Sequence, residues 1–268
     1  MEFSTSKYFE MLASGDVEKA YRYMQGYLPT YIYKFISLDS NIGLNNSKLD
    51  TLKSDKIWVA ASSEQNDPYE FSGIFLDKSM LCKKGFSDVV IDSANDLIKN
   101  SFCIAAFTSQ MTDNLSMWAH YANNHRGFCI KYKVNVQNMF FKVFYEKERI
   151  SISNTFVRFI NACSEYESNH TPDNLKEIQS CSALLQSMYY IKHFSWNHEN
   201  EIRLLYPNEK REKGFNVKNS ECGIRIESIY TGYCCTTDHK ASINSIAKDL
   251  GVECMECQLS DTKYTVFE

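Results

Sequence analysis

Two carboxylates and an arginine occupy alternate positions in the stretch Glu199-Asn200-Glu201-Ile202-Arg203. Because strand side chains alternate between two faces, an extended chain from Glu199 to Tyr206 would place all three charged groups on one face. Fixed carboxylates beside a cation can stabilise positive charge or transfer protons, which makes this stretch a candidate reaction site. A charged edge strand that faces solvent is the alternative interpretation.

A second polar segment runs from Ser62 to Glu70 and directly follows a strand predicted at Lys56 to Ala61. Within it, Pro68 favours an extended conformation at Asp67, and both Asn66 and Asp67 can accept hydrogen bonds from the nearby backbone. Polar groups on a loop that is anchored by a strand are a common way to build a binding site. An ordinary turn stabilised by Asn or Asp is the alternative.

The remaining elements must position these two segments. Aromatic and β-branched residues predict a strand from Tyr31 to Ile36, and the apolar run from Phe102 to Thr108 predicts a central strand covered on both faces. Trp118 and Tyr121 are three residues apart on a short predicted helix, so they share a face. Their rings are interpreted either as a stacking platform or as part of the core. A last extended piece is predicted from Tyr264 to Phe267.

Strands do not alternate regularly with helices along the chain, which argues against a doubly wound parallel sheet. The predicted fold class is α+β, with a mixed, mainly antiparallel sheet, helical insertions and an N-terminal helix at about residues 6–26. Residues 1–30 are expected to form a helical extension. Residues 31–268 are expected to form one domain with a helical insertion at about 151–195.

Composition excludes several classes of function. The net charge is −4 and no long basic run occurs, so binding of nucleic acid by a generally basic surface is not indicated. The N-terminus lacks the pattern of a secretory signal, and no apolar run is long enough to span a bilayer. We therefore expect a cytoplasmic protein without a membrane partner, in which the 10 cysteines are mostly buried thiols. No phosphate-binding glycine loop is present, and no metal ligands are predicted.

Several motifs occur in an order that resembles the bacterial domain-of-unknown-function 2971 family. They are Tyr33-Lys34-Phe35, Asn66-Asp67-Pro68-Tyr69-Glu70, Trp118-Ala119-His120-Tyr121-Ala122 before Gly127-Phe128, and Trp196 with Glu199-x-Glu201-x-Arg203. The resemblance covers roughly Tyr31 to Glu268. Members resemble proteins found near mobile or defence genes, which implies a toxin or anti-phage effector with an antitoxin or defence partner.

The layout also resembles, more distantly, the ADP-ribosyltransferase fold. Those enzymes use NAD as a substrate, with an Arg or His on the first strand, a Ser or Tyr on the second and a glutamate, often in a Glu-x-Glu pair, on a later one. Here Tyr33 and Lys34 stand at the first position, and Lys34 would hold the pyrophosphate as a point charge. Ser62, Ser63 or Tyr69 would fill the second position.

The same resemblance implies roles for the first stretch. Glu201 would stabilise the oxocarbenium-like transition state and hold a ribose hydroxyl, while Glu199 would orient or deprotonate the acceptor. Arg203 would pair with one carboxylate and keep it ionised. Trp118 or Tyr121 would stack on nicotinamide or adenine, and Asn66 and Asp67 complete the expected NAD-binding set.

Two other functions fit the same residues. Asp67, Glu70, Glu199 and Glu201 could hold Mg²⁺ in a metal-dependent nuclease, with Lys34 beside the phosphate. A sensing module that binds a nucleotide or phage protein without turnover is the other alternative. The acceptor of a transferase, whether a protein, a nucleic acid or water, is left open.

Overall fold

A computed structural model describes residues 3–110, 114–262 and 266–267. Within these residues the α-helices are α1 Thr5–Ala13, α2 Val17–Gln25, α3 Ile42–Lys53, α4 Lys78–Lys83, α5 Asp88–Asn100, α6 Leu115–Tyr121, α7 Ser153–Asn169, α8 Pro172–Gln186 and α9 Thr237–Leu250. Short 3₁₀ turns occur at Ser62–Glu64, Ser187–Tyr190 and Phe194–Glu199. No helix in the described part of the chain is both long and apolar enough to cross a membrane.

The strands fall mainly into one large sheet. They are β1 Tyr31–Ile36, β2 Lys56–Ala60, β3 Ile74–Phe75, β4 Phe102–Thr108, β5 Phe128–Val134, β6 Phe140–Lys142, β7 Phe144–Glu146, β8 Ile150–Ser151, β9 Ile191–His193, β10 Glu201–Pro207, β11 Gly214–Lys218, β12 Ile224–Thr231, β13 Glu253–Glu256, β14 Gln258–Leu259 and β15 Val266–Phe267. Tyr264, where the last strand was expected to begin, lies outside the described residues.

The large sheet has nine strands and confirms the mixed, mainly antiparallel α+β class. Its main path is β11-β2-β4-β1-β5-β12-β13, and β10 and β6 add to it through β4. Only the pair β12–β13 is parallel in this sheet. Strand β4 is central, as its apolar sequence predicted, and it pairs with β10 over its whole length, from Glu201 opposite Thr108 to Pro207 opposite Phe102.

The sheet opens between β1 and β2. Both strands pair with β4, but each does so at a single register position: Tyr33 lies opposite Thr108, and Ala60 lies opposite Ile104. Each then continues in its own pairing, β1 with β5 and β2 with β11. Strands that meet a common neighbour at only one position diverge, and side chains of β1, β2 and β4 line the cleft that results.

Both faces of the sheet are covered. Cys103, Ala105 and Phe107 pack into a core shared with α3 and α9, whereas Ile104 and Leu205 pack on the opposite face against α1, α2 and α8. This alternation follows from the period of two in a strand. The charged residues Glu201 and Arg203 lie on the same face as Leu205, beside the cluster that includes the N-terminal helices.

The N-terminal segment differs from its prediction. It forms two helices instead of one, and the break falls at Gly15, which has a φ of +81°. That conformation ends a right-handed helix and is readily adopted by glycine. Both helices are docked, since Tyr8 and Leu12 are fully buried and the Tyr8 and Tyr190 hydroxyls are hydrogen bonded at 3.1 Å.

Candidate functional site

The Glu-x-Glu pair is only partly in a strand. Strand β10 begins at Glu201, whereas Glu199 ends the 3₁₀ turn Phe194–Glu199. Asn200 joins them in a left-handed conformation with a φ of +45°, which asparagine tolerates better than most residues. The expectation that one extended strand aligns Glu199 with Glu201 and Arg203 is therefore wrong. The expectation of a solvated edge strand is wrong as well, because β10 lies between β4 and β6 and Arg203 is 0% exposed.

A lysine that the sequence patterns did not single out joins the two glutamates. Lys192 Nζ donates to Glu199 Oε2 at 2.7 Å and to Glu201 Oε2 at 3.2 Å. Its ammonium also lies 4.8 Å from the centre of the Trp196 ring. The pKa of Lys192 is raised, because the neighbouring carboxylates outweigh the opposing effect of burial. Lys192 on β9 thus compensates for the missing strand geometry and brings Glu199 and Glu201 together.

Arg203 lies behind these carboxylates and does not reach the cleft. It donates to Glu201 through Nε at 2.7 Å and through Nη2 at 3.0 Å, and its Nη1 lies 2.7 Å from Glu70 Oε1. Nη1 also donates to the Tyr189 carbonyl at 2.5 Å. The prediction that Arg203 pairs with a carboxylate is confirmed. Its expected place among the NAD-contacting residues is wrong, since its guanidinium is enclosed by protein groups.

The two glutamates have pKa values displaced in opposite directions. Burial alone would raise the pKa of Glu201, but the Arg203 and Lys192 charges outweigh burial and hold that pKa at about 2. Burial raises the pKa of Glu199, the Glu201 charge adds to this effect, and Lys192 only partly opposes it. The Tyr121 hydroxyl donates a hydrogen bond to Glu199 Oε1. One carboxylate is therefore held ionised, while the other can take up and release a proton.

Lys34 projects from β1 into the same cleft. Its ammonium donates to the Ala106 carbonyl at 3.2 Å and lies 5.5 Å from the centre of the Phe107 ring. No carboxylate forms a salt bridge with it among residues 3–110, 114–262 and 266–267. Burial lowers the pKa of Lys34 to about 8, although Glu201 acts in the opposite direction. An ammonium whose charge is so little neutralised by its neighbours is suited to bind an anionic group of a ligand.

The cleft encloses about 480 Å³, within the roughly 300–1,000 Å³ usual for small-molecule sites. Of the residues expected to contact NAD or to catalyse, seven line it: Tyr33, Lys34, Asn66, Asp67, Tyr121, Glu199 and Glu201. Trp58 and Lys192, which the sequence patterns did not single out, also line it, as does Trp196, which belongs to the family motif but was given no role. Trp58 is 48% exposed although its strand is otherwise largely buried, and an exposed tryptophan in a strand was the signal that could have identified it.

Besides Arg203, four expected contacts lie elsewhere. Trp118 is 0% exposed, stacked on His125 and in edge contact with Phe35, so it belongs to the core and not to the cleft. Ser62 and Ser63 do not line the cleft, although Glu64 of the same 3₁₀ turn does. Tyr69 is 62% exposed and lines a neighbouring groove that shares Asp67, Lys192 and Trp196 with the cleft. The chain turns at Asp67, so Tyr69 faces this second groove, whereas Glu70 lines the cleft.

The four carboxylates proposed as Mg²⁺ ligands are arranged differently from a metal site. Glu70, Glu199 and Glu201 surround Lys192 and Arg203, so cations of the protein already occupy the space between them. Among the described residues, no group of three His, Cys, Asp or Glu side chains is placed to hold a metal ion.

Fold and site together define an α+β protein with a cleft in a divided antiparallel sheet and a buried ion network at its base. Residues 117–204 match the model of the family described as "Protein of unknown function (DUF2971)". The match covers 88 of the 268 residues and supports the family resemblance that the motifs predicted. The matched segment includes Lys192, Glu199, Glu201 and Arg203. No curated protein and no solved structure matches the chain, so the resemblance to ADP-ribosyltransferases gains no support from these comparisons.

Proposed function

We propose that this protein cleaves the bond between nicotinamide and ribose in NAD and transfers ADP-ribose to a macromolecule or to water. The observation that carries the proposal is the pair Glu199 and Glu201, which share Lys192 but have pKa values displaced in opposite directions. Two carboxylates whose environments separate their pKa values are a recurrent arrangement for glycosidic chemistry. An ADP-ribosyltransferase-like arrangement of the sheet is part of this proposal.

Glu201 is assigned to the step in which nicotinamide leaves the ribose. Cleavage at the ribose carbon develops positive charge on the sugar, and a fixed carboxylate stabilises that charge without having to reorganise. The two Arg203 contacts hold Glu201 in one orientation and keep it ionised. In this role Glu201 also accepts a hydrogen bond from a ribose hydroxyl.

Glu199 is assigned to the activation of the acceptor. A carboxylate with a raised pKa is a better general base than an ordinary glutamate, because its affinity for a proton is greater. It would take the proton of a water molecule or of an acceptor hydroxyl as the new bond to the ribose carbon forms. The hydrogen bond from Tyr121 and the ion pair with Lys192 orient it for this step.

The other lining residues are assigned to binding. Lys34 would meet the pyrophosphate, and Tyr33 and Asn66 would contact the dinucleotide from the two walls of the cleft. Trp58 takes the stacking role first expected of Trp118. Its ring packs on Gly214, where an added Cβ would come within 2.4 Å of the indole, and the tryptophan is still 48% exposed. Such a supported, accessible ring suits a nucleobase, which binds by stacking.

The proposed biological role is that of a toxin or anti-phage effector. It rests on the family resemblance, which also suggests an antitoxin or defence partner. The proposal names the acceptor only by its class, as a macromolecule or water.

The test is incubation of the pure protein with labelled NAD, with and without cell extract. We expect release of nicotinamide and transfer of label, and we expect Glu201→Gln to lower the rate by about two to four orders of magnitude. Glu227→Gln is the matched control, because Glu227 forms a surface ion pair with Arg225 away from the cleft. No nicotinamide release, no transfer and no difference between the two variants would sink the proposal.

The alternative of a sensing module has one observation in its favour. Both oxygens of Glu201 already accept hydrogen bonds from Arg203, which a purely structural carboxylate would also do. Binding of NAD without turnover, unaffected by Glu199→Gln, would identify the cleft as a sensing site.

A further inference from the structure

We infer that Asp67 accepts a hydrogen bond from a neutral N–H or O–H group of the molecule that fills the cleft. The inference rests on the proposed function only in taking that molecule to be NAD. Asp67 is 8% exposed and lines both the cleft and the neighbouring groove. Its Oδ1 accepts from the Tyr69 backbone N–H at 2.9 Å, whereas its Oδ2 is buried without a hydrogen-bond partner in the described part of the chain.

The turn does not account for Oδ2. One carboxylate oxygen is enough to hold the Tyr69 N–H, so an asparagine would serve the turn equally well. A buried carboxylate oxygen without a donor destabilises the folded protein, and such groups require a specific explanation. Lys192, a cation of the lining, is engaged with Glu199 and Glu201 and forms no salt bridge with Asp67. A donor on the ligand explains why aspartate stands here.

The chemistry of the partner follows from the charge. A carboxylate oxygen only accepts, so it selects a donor and rejects an anion. NAD offers three neutral donors: the carboxamide, the ribose hydroxyls and the adenine amine. All three share the chemistry that Asp67 requires, and analogues that lack one donor at a time distinguish them.

The experiment compares Asp67→Asn with the wild type by calorimetric titration. Asparagine keeps the oxygen that accepts from Tyr69 but replaces Oδ2 with a donor. Asp39→Asn is the matched control, since Asp39 Oδ1 accepts from the Asn41 N–H at 2.7 Å in an exposed turn that does not line the cleft. We expect Asp67→Asn to weaken NAD binding about ten- to hundredfold, as for loss of a hydrogen bond to a charged group, and Asp39→Asn to leave it unchanged.

Three kinds of analogue identify the donor. They are the dinucleotide with nicotinic acid for nicotinamide, the dinucleotide with hypoxanthine for adenine, and dinucleotides that each lack one of the ribose hydroxyls. The wild type should discriminate against one of them by the same factor, and Asp67→Asn should lose that discrimination. Equal discrimination by both proteins against all three kinds of analogue overturns the inference.

Stability gives a readout that needs no ligand. Because Asp67→Asn removes the buried carboxylate oxygen that has no donor, the ligand-free variant should melt at the same temperature as the wild type or higher. A lower melting temperature would show that Asp67 serves the fold and overturns the inference. NAD that binds but is not cleaved would defeat the proposed reaction alone, whereas NAD that is cleaved equally well by Asp67→Asn would defeat the role of Asp67 alone.

Discussion

Replacing Arg203 by methionine removes the guanidinium that neutralises two buried glutamates. Arg203 holds Glu201 through contacts of 2.7 and 3.0 Å and Glu70 through one of 2.7 Å. Without it, three buried glutamates depend on Lys192 alone, which lies 3.2 Å from Glu201 and 4.0 Å from Glu70. Removing one partner of a buried ion pair typically lowers the free energy of unfolding by about 3–5 kcal/mol, and we expect a loss in that range.

A double-mutant cycle separates this ionic effect from lost packing. Glu70→Gln removes one negative charge, so it should harm the wild type but partly rescue Arg203→Met. We expect a coupling free energy of about 1–3 kcal/mol between the two sites. The assay is urea unfolding followed by circular dichroism at neutral pH, with the slope of each transition compared to verify two-state behaviour.

The surface pair Arg225–Glu227 provides the control cycle. Its Arg225→Met and Glu227→Gln variants should change the free energy of unfolding by at most about 1 kcal/mol, because exposed ion pairs contribute little. The reasoning fails if the Arg203 and Glu70 effects add within about 0.5 kcal/mol, or if Arg203→Met is no less stable than Arg225→Met.

Four further outcomes can be measured. Trp58→Ala should raise the KM for NAD about tenfold or more with little change in kcat, while Trp58→Phe keeps most of the affinity; equal KM values would contradict the stacking role. The pKa of Lys34 is lowered from 10.5 to about 8, so between these pH values the unfolded state binds more protons than the folded state. The free energy of unfolding of the wild type should therefore rise as pH rises from 8 to 10.5, and Lys34→Met should lack that gain. Glu201 has its pKa lowered to about 2 from 4.5, so its stabilising contribution is present above pH 4.5 and is lost as pH falls towards 2; acid unfolding curves of Glu201→Gln should lack this component. Trp118→Phe should lower the free energy of unfolding by about 0.5–3 kcal/mol without changing the NAD affinity of the folded protein, because the indole packs in the core; a selective loss of affinity would refute that assignment.

Local patterns predicted the strands well because each pattern reports its own environment. The apolar run Phe102 to Thr108 is a central strand, and Tyr31 to Ile36 is the strand that carries Lys34. Such patterns cannot say that β1 and β2 meet β4 at one position each and then diverge. That divergence creates the cleft, and it depends on pairings between residues far apart in sequence.

The same limit explains the errors at the site. Trp118 and Tyr121 have the spacing of one helix face, but one ring enters the core against Phe35 and His125 while the other reaches Glu199. The spacing of two residues shows that they share a face of a helix, but it does not show which other residues each side chain contacts. Lys192 was overlooked for a related reason, since it lies among apolar residues and only tertiary structure reveals the carboxylates around it.

The break between turn and strand at Asn200 places the two glutamates in different structural environments. Glu201 starts a strand that is hydrogen bonded on both sides. Arg203 lies two residues later on the same face and donates two hydrogen bonds to the Glu201 carboxylate. Glu199 is held instead by single donors, from Lys192 and Tyr121, at the end of a short turn. A carboxylate that must stay ionised benefits from the rigid setting, and one that exchanges a proton benefits from partners that tolerate either charge state. Tyr121 is such a partner, because its hydroxyl can donate to a carboxylate or accept from a carboxylic acid. Under the proposed function, the displaced strand boundary that contradicted the simple alternation pattern therefore gives the two neighbouring glutamates different roles.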